Sequence, residues 1–258
     1  MDAIVIAGGT PQLGEPLYEF TQGQPKALLD ICGKPMIQWV LDALNGADSI
    51  DRVIVIGLPP DAGIACPKVV DFLPNQGGML QNVRAGMKRS QEINPQSHHL
   101  LFASSDIPAI TAEMVNWVAN TAMQTDEDIY YTVITRQVME ARYSNSRRSY
   151  TRLKDIEVCG GDIHVVSSQI GPENDAVWEK LVAARKNVFK QASLIGYDTL
   201  ILLLFHAIAL DKAIKVVTQR LHITGRPLIC PYAEAGMDVD KPFQLEIIRS
   251  DLAQRMAS

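Results

Sequence analysis

DAIVIAGGT, the stretch from Asp2 to Thr10, runs from an apolar strand-like segment straight into a pair of glycines. A strand that ends in paired glycines lets the backbone press close to a ligand, because no side chain blocks the approach and successive N–H groups can point at one anion. Pro25-Lys26 follows ahead of a second apolar stretch and adds a mobile positive charge. The layout suggests a nucleotide site, with a simple tight turn as the other reading of the glycine pair.

Outward from this start, strand-like and helix-like segments alternate. Strands are expected at Asp2–Ala7, Arg52–Gly57, Lys68–Phe72 and His99–Ser104, and helices at Pro35–Asn45, Gly78–Gln91 and from the cap Thr111 to Met123. His99–Ser104 is a continuous apolar run of the kind covered on both faces. The rhythm is βαβ, which predicts an α/β fold with a mostly parallel sheet and crossover helices. From Ile129 to Val166 the pattern changes. Two β-rich runs, Ile129–Thr135 and Asp162–Val166, flank a polar stretch, so an arm or lid is expected at about residues 136–160 of a single 1–258 domain. Helices at Glu173–Lys190 and Thr199–Leu221, a strand at Pro227–Cys230 and a helix at Pro242–Met256 complete the expectation.

Composition narrows the function. The chain has 258 residues, almost half of them hydrophobic, enough to bury a sizeable core. Its net charge of -5, without a long basic run, argues against nucleic acid as the main ligand. Four cysteines, Cys32, Cys66, Cys159 and Cys230, show no CxxC spacing, so neither a zinc site nor a disulfide framework is indicated. Acidic Asp2 and the immediate glycine turn stand where an export signal would need a basic region and an apolar run, so a cytoplasmic protein is expected. Leu200–Leu210, the most apolar run, is interrupted by His206 and is too short to span a bilayer. It reads as a buried or subunit-contacting helix, with membrane-surface contact the other reading, His206 reads as a core residue, and a homodimer is one expectation.

Two acidic clusters add chemistry. Asp106, in Ser104-Ser105-Asp106-Ile107-Pro108, follows an apolar strand and is expected at its carboxyl end, the edge where open α/β sheets bind ligands. A single carboxylate there can begin a Mg²⁺ site, since that ion fills its remaining positions with water and substrate phosphates; a turn residue before Pro108 is the other reading. Asp238 and Asp240 alternate just before the last expected helix, and one of them can reach the same site or simply favour the helix N-terminus.

Taken in order, Gly8-Gly9, Pro25-Lys26-Ala27-Leu28-Leu29, Gly33-Lys34-Pro35-Met36-Ile37, Asp106-Ile107-Pro108 and Asp238-Val239-Asp240-Lys241-Pro242 resemble the MobA-like nucleotidyltransferases. The resemblance implies a Rossmann-like, three-layer α/β/α mixed sheet of the nucleotide-diphospho-sugar transferase (GT-A) type. It also implies transfer of a nucleotidyl group from an NTP to a phosphorylated or hydroxyl acceptor, with pyrophosphate released. Carried onto this chain, it makes Ala7, Gly8, Gly9 and Thr10 nucleotide contacts, Lys26 the triphosphate-holding cation, and Asp106 and Asp240 the Mg²⁺ ligands. Gly78, Gln81 and Asn82 become candidates for base or ribose contacts, and Gly161, Asp162 and Asp238 for polar contacts beside the acceptor. A GT-A glycosyltransferase using a nucleotide-sugar and a non-catalytic nucleotide-binding module are the alternatives.

One departure stands out. Members of the family usually carry an Arg a few residues after the glycine pair, whereas this chain has no basic residue between Gly9 and Lys26 and places Glu15 and Glu19 there. Phosphoryl transfer depends mainly on positioning and electrostatics, so the loss of that cation must be compensated or activity falls. Arg142, Arg147, Arg148, Arg152 and Lys154, close together in the polar stretch, are available substitutes, with Arg147 and Arg148 the candidate acceptor contacts. A solvated surface arm is the other reading of that run, as a water-facing pair is of Arg185-Lys186.

Overall fold

The computed structural model describes residues 1–170 and 207–257. The expected helix at Glu173–Lys190, Arg185-Lys186 and His206 lie outside the described residues.

The central sheet starts with β1 (Asp2–Ile6), which pairs in parallel with β4 (Arg52–Ile56) on one side and β6 (His99–Ser104) on the other. Beyond β4 lies β5 (Val69–Leu73), also parallel. Beyond β6 the sheet turns mixed: β10 (Ile163–Ser167) inserts antiparallel between β6 and β7 (Ile129–Thr135). β11 (Gly225–Cys230) then runs parallel to β7.

Period-2 alternation explains why the sheet carries helices on both faces. Ala3, Val5, Val53, Val55, Leu101 and Ala103 point into one apolar layer, while Ile4, Ile54, Ile56, Leu100 and Phe102 point into the other. The first layer is closed by α2 (Met36–Gly46), α4 (Ala112–Ala122) and α7 (Pro242–Ala257). The second is closed by α3 (Met79–Ile93), through Met87 and the half-buried Leu80 and Val83. The result is the expected three-layer α/β/α arrangement around a mixed sheet. Among the described residues no helix is long and apolar enough to cross a membrane.

Some details were not legible in the sequence. A four-residue helix α1 (Tyr18–Thr21) follows the glycine loop, and a separate hairpin pairs β2 (Asp30–Ile31) with β3 (Lys34–Pro35). Pro35 therefore ends a strand and precedes α2 in extended conformation, at ψ 141°, rather than opening the helix. The polar stretch expected as an arm or lid forms α5 (Arg136–Arg142), then β8 (Thr151–Arg152) and β9 (Glu157–Gly160), with β9 paired to the end of β7. The helix expected over Thr199–Leu221 does not run continuously. Ala209 is extended, at ψ 156°, and α6 spans only Leu210–Leu221, while residues 199–206 lie outside the described set. The apolar period continued across Ala207–Ala209 in sequence, yet Ile208 is used instead in a small core with Val133, Leu153 and Val158.

Candidate active site

The carboxyl ends of β1 and β6 lie side by side, with Ile6 opposite Ser104. This register brings the glycine loop beside Asp106, the edge at which open α/β sheets take ligands. The loop is held by its neighbours. Ala7 N–H donates to Ile56 O at 2.7 Å, and the Asn75 amide donates to Gly8 O at 2.9 Å. Gly57 faces the loop with φ +103°, and a Cβ on it would lie 2.4 Å from Gly8 Cα. A side chain at Gly8 would in turn meet the Asn75 amide at 2.8 Å. The tight chain approach at Gly8 and Gly57 is thus a requirement of packing as well as of any ligand.

Lys26, in a 3₁₀ turn at Lys26–Leu28, is anchored by its N–H donating to Gly9 O at 2.8 Å. Its ammonium donates to Asp106 Oδ2 at 2.5 Å and to Asp240 Oδ1 at 2.6 Å. Residues 80 and 214 positions away from Lys26 in sequence therefore meet at one nitrogen. Ser104 Oγ donates to the other oxygen of Asp106 at 2.5 Å, and Val239 N–H to the Asp106 carbonyl at 2.9 Å. The second contact ties the 238–240 segment to the end of β6. Burial opposes the Lys26 charge, but the two carboxylates outweigh it and hold the ammonium above its ordinary value. Burial likewise opposes the charge of Asp240, and Lys26 outweighs it, drawing Asp240 below the usual carboxylate value.

Asp106 and Asp240, the Mg²⁺ ligands that the family resemblance implies, offer oxygen donors of the kind that ion takes. They already converge on one cation, the Lys26 ammonium, and two carboxylates are a sufficient protein contribution for an ion that keeps water and phosphate ligands. Among the described residues no group of three or more His, Cys, Asp or Glu side chains is placed to hold a metal.

A second charged group lies beside the first. The guanidinium of Arg148 donates to Asp238 Oδ1, donates to Gly160 O at 3.2 Å and stands 4.0 Å from Asp162 Oδ2. Burial first, then the Asp162 carboxylate, pushes Asp238 up, with Arg148 pulling the other way. Arg148 is therefore a bridge within the protein. Arg147 is not in this group: it is exposed and stacks its guanidinium over Phe243 at 5.0 Å. Gly161 N–H donates to Thr132 O at 2.9 Å, a Cβ on it would lie 3.2 Å from the Ala235 carbonyl oxygen, and Asp162 N–H donates to Ala235 O at 2.8 Å.

On the side of α3, Gln81 is exposed and Gly78 precedes the helix in extended conformation. Asn82 is 3% exposed; its Oδ1 accepts from Gln76 N–H at 2.7 Å and its amide donates to Asn75 Oδ1 at 3.2 Å. Its side chain thus shapes the loop that supports Gly8. Asn75 carried no sequence signal, because a lone Asn in a Pro74–Gly77 turn reads only as turn chemistry.

An open cavity of about 470 Å³ lies beside the glycine loop, lined by Gly9, Thr10, Glu15, Lys26, Asp240 and Lys241 among others; the Arg148 group and Asn82 do not line it. Lys241 lies in the Asp238–Pro242 motif, where its residue type and position carry no signal of a role. A more apolar cavity of about 370 Å³ lies elsewhere, between the sheet and α6, with none of Lys26, Asp106 or Asp240 in its lining.

Comparison with known proteins matches this architecture. A hypothetical transferase from Thermus thermophilus is 30% identical, with a TM-score of 0.82, over 95% of this chain and 98% of that one. The 2-C-methyl-D-erythritol 4-phosphate cytidylyltransferase from the same organism shares the fold at 15% identity and a TM-score of 0.54, over 98% of this chain and 100% of that one. Among curated proteins, the bifunctional protein GlmU of Thermoanaerobacter pseudethanolicus is 27% identical over 101 residues, 37% of this chain. The matched region is 21% of that relative, so the chain corresponds to about a fifth of its length. The MobA-like NTP transferase domain family matches residues 3–192, most of the chain. With the glycine loop, Lys26 and Asp106 inside that match, the chain belongs to the MobA-like NTP transferase domain family.

Proposed function

We propose that this protein moves a nucleotidyl group from an NTP to an oxygen of a phosphorylated small molecule and releases pyrophosphate. The observation that carries the reading is the meeting of Lys26, Asp106 and Asp240 at one point beside the glycine loop. An acceptor oxygen attacks the α-phosphorus in line, the new O–P bond forms as the bond to the bridging oxygen of the β-phosphate breaks, and pyrophosphate leaves with the electron pair. Lys26 offsets the negative charge that builds on the phosphates, and Ser104 keeps Asp106 oriented. Asp106 and Asp240 are the residues that would hold Mg²⁺, which when bound neutralises phosphate charge.

The test is pyrophosphate release from ATP, GTP, CTP and UTP with Mg²⁺, against a panel of phosphorylated sugars, polyols and pterins. Release with one NTP and one acceptor, abolished by Asp106→Ala, is the expected result. Release that survives Asp106→Ala would overturn the assignment. A second reading, a non-catalytic nucleotide-binding module, is favoured by the acidic glycine loop. Lys26→Ala separates the two: an enzyme loses turnover far more than binding, a sensor loses binding alone.

A further inference from the structure

The charge of the cavity beside the glycine loop does not suit a polyphosphate without help. Lys26 is shared between Asp106 and Asp240, so that triad sums to one negative charge (+1 − 2 = −1). Glu15 adds another carboxylate to the lining, turned back to accept from Gln12 N–H at 2.7 Å. Lys241 is the lining cation whose side chain pairs with nothing among the described residues. The N–H groups of Gly9 and Thr10, in the same lining, also donate to no described atom. An anion entering here meets one uncommitted ammonium and a stretch of free backbone donors.

We propose that Lys241 grips the β- and γ-phosphates of the NTP, taking over from the carboxy-terminal side the role for which the glycine loop has no basic residue. The inference rests on the nucleotidyltransferase reading and assigns a residue to it. A lysine on a flexible stem is suited to the task, because it acts as a point charge on phosphate and can follow a moving leaving group. Its position next to Asp240 couples the grip to the carboxylate that also faces the phosphates.

Isothermal titration of each NTP, its NMP and inorganic tripolyphosphate, into wild type, Lys241→Ala, Lys241→Arg and the double variant Lys241→Ala/Leu13→Arg, tests this without relying on turnover. Leu13 is 84% exposed on the glycine loop, so an arginine there displaces no packing. Lys241→Ala is expected to weaken the preferred NTP and tripolyphosphate about 10- to 100-fold, the loss of one charge-assisted hydrogen bond, and NMP less than about twofold. Lys241→Arg should bind nearly as wild type, the double variant should regain NTP affinity, and melting temperatures should be unchanged. Equal NTP affinity in wild type and Lys241→Ala would overturn the inference while leaving the nucleotide reading intact. So would an equal loss of NMP and NTP. Failure of the wild type to bind any NTP would instead overturn the reading on which it rests.

Discussion

Lys26→Met tests the triad at the point where stability and function meet. The lysine side chain is 15% exposed and Asp106 12%, so their pair is largely withdrawn from water, whereas Asp240 is 56% exposed. Removing one partner of a buried pair strands the other, at about 3 kcal/mol; the exposed Asp240 contact adds at most about 1 kcal/mol. For a chain of this size a loss of about 3 kcal/mol lowers Tm by roughly 6–12 °C. Lys26→Met/Asp106→Asn should recover most of it, because no uncompensated buried charge remains. The pH dependence follows from the shifts. Lys26 is raised, so its contribution is complete below its ordinary 10.5 and is lost only as pH rises beyond it. Asp240 is lowered, so its contribution is complete above its ordinary 3.8 and is lost as pH falls below that. The deficit of Lys26→Met should therefore be flat from about pH 5 to about pH 10 and narrow in stronger acid. Mg²⁺ should raise the Tm of Lys26→Met more than that of wild type, because the ammonium no longer competes for the two carboxylates. Urea and thermal unfolding measure all of this. A Lys26→Met protein as stable as wild type, or a double variant no better than the single, would refute the argument.

Three further substitutions probe the supports of the site, and a fourth a nearby turn. Gly57→Ala places a Cβ 2.4 Å from Gly8 Cα at φ +103° and should cost about 2 kcal/mol or more in urea unfolding. Gly9→Ala, with nothing within 4 Å of its Cβ, should stay within about 0.5 kcal/mol. Arg148→Ala removes the donor shared by Asp238 and the Gly160 carbonyl and leaves Asp238, already pushed up by burial and Asp162, to take up a proton, so it should destabilise by about 1–3 kcal/mol at neutral pH in urea unfolding. Cys32→Asn should raise Tm by an amount equivalent to about 0.5–1 kcal/mol. Cys32 (φ 53°) and Gly33 (φ 81°) form the two-residue loop between β2 and β3, where Asn-Gly is preferred; a lower Tm would show that the Cys32 contact to Arg249 O outweighs the backbone gain.

By itself the sequence determined the alternating α/β layout and the sheet edge at which the glycine pair and Asp106 fall. Continuous apolar runs such as Leu100–Ala103 can be satisfied only by cover on both faces, and a glycine pair or an Asp after a strand falls at the sheet edge by chain direction alone. Asp106 was legible for that reason, whereas Lys26 and Asp240 were singled out by the family resemblance, the residues alone leaving Asp238 and Asp240 equal candidates. What only the tertiary structure decided was which charges are committed. Arg148 reads as a free phosphate ligand in sequence, but folding delivers Asp238 to it from 90 positions away. Asn82 reads as a ligand contact at a helix start, but it is buried against Gln76 and Asn75. Lys241 carries no role in the sequence, but the Val239–Asp106 backbone bond carries its segment to the cavity. Local sequence specifies donors, acceptors and the face a residue takes on its own element. Whether a charge meets a partner or stays open to a ligand depends on long-range register, which no local pattern encodes.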